Sequence, residues 1–259
     1  MVALNIHKIG KDDLKYLTAF SKRMFLVLFF ILVFVVFFAT KGKGINELSV
    51  PLYFVPNNGQ VDNRVLFYAK AAGYTLWVTK EGLVFDCKKR QVSWLVFRNA
   101  DRNMHIQPLE TTRHRVNYYK GKNSSTWQLK IAAAKAVLYR NIYPYIDLKV
   151  YGTGKQVEYD WIVKPGGNPE KIGFSYENVE ETLIDEKGNL VVKTGLGELI
   201  HKKPVSFQTL TGRVDVNFKK LGKNTYGFAV GHYDKVRDLI IEPLILYLGK
   251  GGKKGGTYE

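Results

Sequence analysis

The chain has 259 residues, 46% of them hydrophobic, and a formal charge of +16, which is enough apolar material for one large core or two small ones. The charge divides into +5 over residues 1–44, +2 over 250–259 and +9 over 45–249, the last spread through strand-like segments. That spread argues against the concentrated basic face that nucleic acid requires, and Cys87, the single cysteine, excludes an intrachain disulfide.

The first element is an uninterrupted apolar run from Met24 to Ala39, preceded directly by Lys22 and Arg23. A helix of that length spans about 24 Å, short of the ~30 Å hydrocarbon core of a bilayer. A basic flank, a short apolar run and then small residues form the layout of a secretory signal. Gly42 with Thr40, or Gly44 with Gly42, suits signal peptidase better than Ala39 with Phe37, and an uncleaved membrane anchor is the alternative. Basic residues outnumber acids before the run, which keeps that side in the cytoplasm and sends the remainder outward. A buried core helix is disfavoured because the run is apolar all round. Residues 1–44 are therefore assigned to a signal peptide or membrane anchor with its linker, 45–248 to a β-rich domain, and 249–259 to a disordered Gly/Lys tail.

From Val50 onward, strand patterns alternate with turn signals. Runs at 65–71 and 74–79 lead to the turn Lys80-Glu81-Gly82, then to 83–87 and 91–97. The stretch 130–137 contains Ala132-Ala133-Ala134 and is expected to hold at most a short helix. Runs at 146–151 and 157–163 flank Gly152-Thr153-Gly154 and predict a hairpin, and Pro165-Gly166-Gly167-Asn168-Pro169 is a loop. A further hairpin is predicted at 183–193, and further strands at 196–201, 205–210, 213–218, 226–230 and 239–241. Strands at this spacing predict an all-β fold, an antiparallel β-sandwich-like domain preceded by one N-terminal hydrophobic helix.

Several segments then fall into a known order. Phe54-Val55-Pro56-Asn57-Asn58-Gly59-Gln60-Val61-Asp62 is followed by Val65-Leu66-Phe67-Tyr68-Ala69. Val116-Asn117-Tyr118-Tyr119-Lys120-Gly121 with Trp127, and Tyr139-Arg140-Asn141-Ile142-Tyr143-Pro144-Tyr145-Ile146-Asp147-Leu148, come next. Glu158-Tyr159-Asp160-Trp161-Ile162-Val163, Lys203-Pro204, Phe228-Ala229-Val230-Gly231-His232-Tyr233-Asp234 and Leu239-Ile240-Ile241-Glu242-Pro243 close the series. This resembles the uncharacterised N-terminal domain of bacterial and archaeal cell-surface proteins that carry SBBP (seven-bladed beta-propeller) repeats. The resemblance covers about residues 50–248 and implies a β-rich, surface-displayed domain without catalysis. Tyr145 stands where that family usually has Gly, and Glu242 where it usually has Asp. The chain stops where the first propeller repeat of those proteins begins, which implies a stand-alone copy or a truncated form.

Chemistry-bearing residues are few. Glu158 and Asp160 lie two apart on a strand, so both project from one face, with Asp147 on the neighbouring strand. A glycosidase needs two carboxylates about 5–10 Å apart across a cleft, whereas balancing lysines or accepting from tyrosine hydroxyls is the commoner use of such a pair. The five histidines lack metal-ligand spacing, and Cys87 reads as a small buried hydrophobe. The aromatic cluster Tyr118, Tyr119, Trp127, Tyr139, Tyr143, Tyr145, Tyr151, Tyr159 and Trp161 suits a core more than a stacking platform. The reading is an exported, non-catalytic structural or adhesion-type interaction domain without cofactor or metal. The alternative is a carbohydrate-active enzyme or carbohydrate-binding module. Expected partners are the cell envelope, surface proteins or glycans, and the membrane through the N-terminal segment, with no nucleic acid. Candidate contacts are Tyr118, Tyr119, Trp127, Tyr145, Glu158, Asp160 and Trp161.

Overall fold

The computed structural model describes residues 52–249, except 72, 88–90, 120, 121, 124–126, 155 and 211. The predicted apolar leader and the tail beyond Gly249 lie outside these residues. The strands are β1 (Val55–Pro56), β2 (Val65–Lys70), β3 (Tyr74–Thr79), β4 (Gly82–Cys87), β5 (Gln91–Phe97), β6 (His105–Tyr118), β7 (Gln128–Tyr143), β8 (Ile146–Thr153) and β9 (Gln156–Val163). They continue as β10 (Phe174–Glu177), β11 (Glu181–Ile184), β12 (Leu190–Thr194), β13 (Gly197–His201), β14 (Val205–Gln208), β15 (Gly212–Arg213), β16 (Val216–Gly222), β17 (Thr225–Val230), β18 (Leu239–Glu242) and β19 (Leu244–Gly249).

Two antiparallel sheets form a sandwich-like arrangement, as the alternating pattern predicts. Sheet 1 has the order β1-β2-β3-β4-β5-β10-β17-β16. Sheet 2 contains β6, β7, β8 and β9 in succession, and beyond β9 it forks. Trp161 and its neighbours in β9 pair with β18, while Val157 and Glu158 pair with β19. Pro243, which has no N–H to donate, separates these two strands. From the fork, β19 leads to β13-β12-β11 and β18 to β14-β15.

The inward positions of both sheets make one core. Leu76, Val78, Leu83 and Phe85 of sheet 1 meet Tyr139, Ile146, Leu148, Val150 and Trp161 of sheet 2, all at 1% exposure or less. Tyrosines carry hydroxyls into this core; Tyr139 and Tyr143 find acceptors across it, whereas the buried Tyr74 Oη has no hydrogen-bond partner among the described residues. Tyr139 Oη donates to the Thr79 carbonyl at 2.9 Å, and Tyr143 Oη to the Arg98 carbonyl at 2.8 Å. His201 sits between Tyr159 (sheet 2), 2.7 Å from its Nδ1, and Tyr176 (sheet 1), hydrogen-bonded to its Nε2. A neutral imidazole offers one donor and one acceptor, which these two hydroxyls use. Burial accordingly pushes the His201 pKa down to about 3. Gly82 is obligatory, because a Cβ there would lie 1.9 Å from the Leu95 carbonyl oxygen. Cys87, 3% exposed, ends β4, and burial raises its thiol pKa.

The stretch expected to be partly helical, 130–137, is instead the middle of the sixteen-residue strand β7. Pairing on both edges overrides the alanine propensity: Ala132 and Ala134 oppose Arg115 and Thr111, and Ala136 opposes Tyr151. Small side chains fit here because β1 crosses the strand. Phe54 and Ala134 exchange backbone hydrogen bonds at 2.8 and 2.9 Å, and Ala133 packs with Val55 and Tyr68. The outer half of the β6–β7 hairpin thus leaves sheet 2 and lies over the outer side of sheet 1. Ladder shifts occur near Glu110 and Lys130, both left-handed at φ 52° and 58°, as β-bulges that bend a hairpin would produce.

Candidate functional site

The outer face of sheet 1 is apolar where an outer face is ordinarily polar. Cross-strand register sets Tyr68, Trp77, Val84 and Trp94 in one row over β2–β5. Val92 and Val96 flank Trp94 on the same face. Trp77 Nε1 donates to Asp86 Oδ2 at 3.2 Å, which fixes its ring, and Trp94 is 43% exposed. A cleft of about 520 Å³ opens over Trp77, Val84 and Trp94. A second, of about 650 Å³, lies under the β6–β7 arm between Tyr53, Tyr68, His114 and Tyr118. The two share Val61 and Trp77.

The wall common to both is the loop 57–64, and its sequence explains its stiffness. Asn57 Nδ2 donates to the carbonyls of Asp62 (2.9 Å) and Val65 (2.8 Å), while its Oδ1 accepts from Gly59 N (3.0 Å). Gln60, 3% exposed, donates to the Pro56 carbonyl at 2.8 Å and accepts from Asn58 N. Gly59 supplies the φ of +99° that closes the turn. At the rim, Arg64 grips Asp62 through two bonds of 3.0 and 2.9 Å and holds its carboxyl down at about 2. Glu81 lines the opposite side. The result is a stiff, aromatic-floored cleft with charged groups at its edge, suited to a ligand that has an apolar face and a polar perimeter.

The structure disperses the candidates drawn from sequence. Trp161 is 1% exposed and belongs to the core with Tyr139, Tyr143 and Tyr159. Tyr118, Tyr119 and Trp127 lie at the far end of the β6–β7 arm, where Tyr119, 61% exposed, meets Trp127 edge-on at 5.0 Å. Tyr145 stands at the opposite end of β7, in the turn to β8, with φ 61°. That left-handed backbone is the physical reason a glycine suits this position. Glu158 and Asp160 project together from the outer face of β9, with the Glu242 charge of β18 close enough to act on Asp160. Tyr151 Oη donates to Asp160 at 2.9 Å, and burial, then the Glu242 charge, push the Asp160 pKa up to about 6. Both carboxylates leave one strand in one direction, so they do not flank a bond from two sides as glycosidase carboxylates do. Asp147 is separate again, accepting from Asn141 N at 2.7 Å and paired with Lys164 at 2.6 Å. Among the described residues, no three His, Cys, Asp or Glu side chains converge as metal ligands.

The Trp77–Trp94 row is absent from the sequence-based candidates. The turn Lys80-Glu81-Gly82 sets the β3–β4 register and brings Val84 beside Trp77, so half of the row was open to deduction. The other half depends on residues 88–90, where the sequence has no turn signature.

No curated protein and no solved structure matches the chain. A family described as a domain of unknown function, DUF7948, matches residues 54–244. That span begins at the strand bridging to β7, takes in the stiff loop and the cleft floor, and ends at the fork beyond Pro243, so the chain belongs to the DUF7948 family.

Proposed function

We propose that this chain is a non-catalytic interaction domain working outside the cytoplasm, secreted or membrane-anchored at the cell surface, that binds glycan across the outer face of sheet 1. In longer proteins of the resembling kind it would adjoin β-propeller repeats. The observation that carries the reading is the row Trp77–Val84–Trp94 with its stiff wall. Saturated sugar rings have apolar faces that stack on indoles, and hydroxyl edges that reach a rim such as Asp62, Arg64 and Glu81. The basic-flanked apolar run at 24–39 supports export.

Glycan-array screening of the protein, followed by calorimetry, tests this. Trp94→Ala is expected to weaken the selected glycan by about three- to tenfold, the worth of one stacked ring, while far-UV circular dichroism stays unchanged. Undiminished affinity in Trp94→Ala would remove the cleft as the site. A phosphatase fused after the domain, active only once exported, tests the localisation separately.

A further inference from the structure

The charge of the β domain is less evenly distributed than its composition suggests. Between Arg102 and Ile146 there are eight basic residues and one acid, Glu110, a net of +7 out of the +9 carried by residues 45–249. These residues are the β6–β7 hairpin and its immediate flanks. Glu110 is itself held by Lys135 at 2.9 Å. Arg113, Arg115, Lys122 and Lys130 are exposed along the arm, and Arg115 is steadied there by the carbonyls of Thr112 (2.6 Å) and His114 (3.2 Å). At the far end, Tyr119 and Leu129, 61% and 52% exposed, stand beside these cations.

We propose that the β6–β7 arm docks on a bilayer of anionic phospholipid. Three observations choose this occupant. The arm is a concentrated positive charge, complementary to anionic headgroups. Its tip pairs that charge with exposed Tyr and Leu beside a Trp, the side chains that settle at the boundary between headgroups and acyl chains. Thirdly, the described chain enters the fold directly beneath the arm, where Tyr53 stacks on His114 at 5.1 Å and 18°. Residues 40–51 separate that point from the apolar run, and twelve extended residues reach at most about 40 Å. The third observation rests on the proposed membrane association of the leader; the first two do not.

Hydrogen exchange on the full chain tests the arm. With vesicles of phosphatidylcholine and phosphatidylglycerol, three to one, amides of 113–119 and 127–130 are expected to exchange about tenfold more slowly than with phosphatidylcholine alone. The protection is expected to vanish in Arg113→Glu/Arg115→Glu/Lys130→Glu, whose core amides report that it folds, and in wild type at high salt. Equal protection on both vesicle types, or none on either, would overturn the proposal. So would equal protection by a DNA duplex at matched phosphate concentration, which would make the arm a nucleic-acid surface. Flotation with phosphatidylcholine vesicles reads the apolar run alone, so a failure of the leader reading appears there and not in the arm.

Discussion

At the scale of single residues, parity along a strand decides which aromatics are available and which are structural. Trp161 shares its face with Val157, Tyr159 and Val163 and is buried, whereas Trp94 shares its face with Val92 and Val96 and is open. In β9 the contrast with Glu158 and Asp160 makes the inner face legible from sequence. In β5 both faces are largely apolar, so alternation carries no contrast there, and only the fold reveals Trp94. Tyr145 shows the opposite case, a residue whose backbone is in conflict with its side chain. A non-glycine residue held at φ 61° bears left-handed strain, and its ring is 59% exposed. Tyr145→Gly is expected to stabilise the protein by about 0.5–1 kcal/mol, read as a higher urea midpoint. A lower midpoint would mean that the ring's contact beside Gly166 outweighs the strain.

At the scale of elements, the loop 57–64 is the clearest link between sequence and site. Its Pro-Asn-Asn-Gly-Gln run is rich in turn formers, but the side-chain bonds that make it rigid depend on Asn57 and Gln60 folding back on their own segment. Asn57→Ala removes an acceptor for Gly59 and a donor to two carbonyls. The expected cost is about 1–3 kcal/mol in chemical denaturation, together with weaker glycan binding, because the wall of the cleft loosens. Unchanged stability would show that water replaces the amide without loss. Strand β7 marks the limit of local reading. Its alanines favour a helix in isolation, and only the crossing of Phe54 and the pairing with β6 and β8 make it extended. Most hairpin strands were legible from alternation and turns, while the long β6, β10 and β19 were not, because their partners are remote or their faces mixed.

At the scale of the whole molecule, the two sheets are joined by polar bolts through an apolar core, and the bolt at His201 makes cohesion depend on pH. The unfolded chain takes up a proton at His201 near pH 6.5, and the folded chain only near 3. Across that window the unfolded state holds more protons, so stability is complete above about 6.5 and falls by about 1.4 kcal/mol for each unit the pH drops. Asp160 acts in the other sense. Its folded value near 6 lies above the ordinary 3.8, so it contributes stability at low pH that is lost as pH rises through about 6. In Asp160→Asn the His201 slope is expected to dominate urea midpoints between pH 6.5 and 5. A flat profile there would show that the imidazole is already charged in the fold. Neither the pairing of His201 with two tyrosines nor the fork at Pro243 was legible, since each unites segments with no local mark of their meeting. The sandwich class was legible, because it needs only alternation and turns.

The solitary thiol at the end of β4 gives this architecture a native gauge. Because Cys87 is sealed between the layers and has no second thiol to confuse the signal, a colouring reagent meets it only when the sandwich parts. The pace of that reaction counts how often the two halves breathe, without any label having to be engineered in.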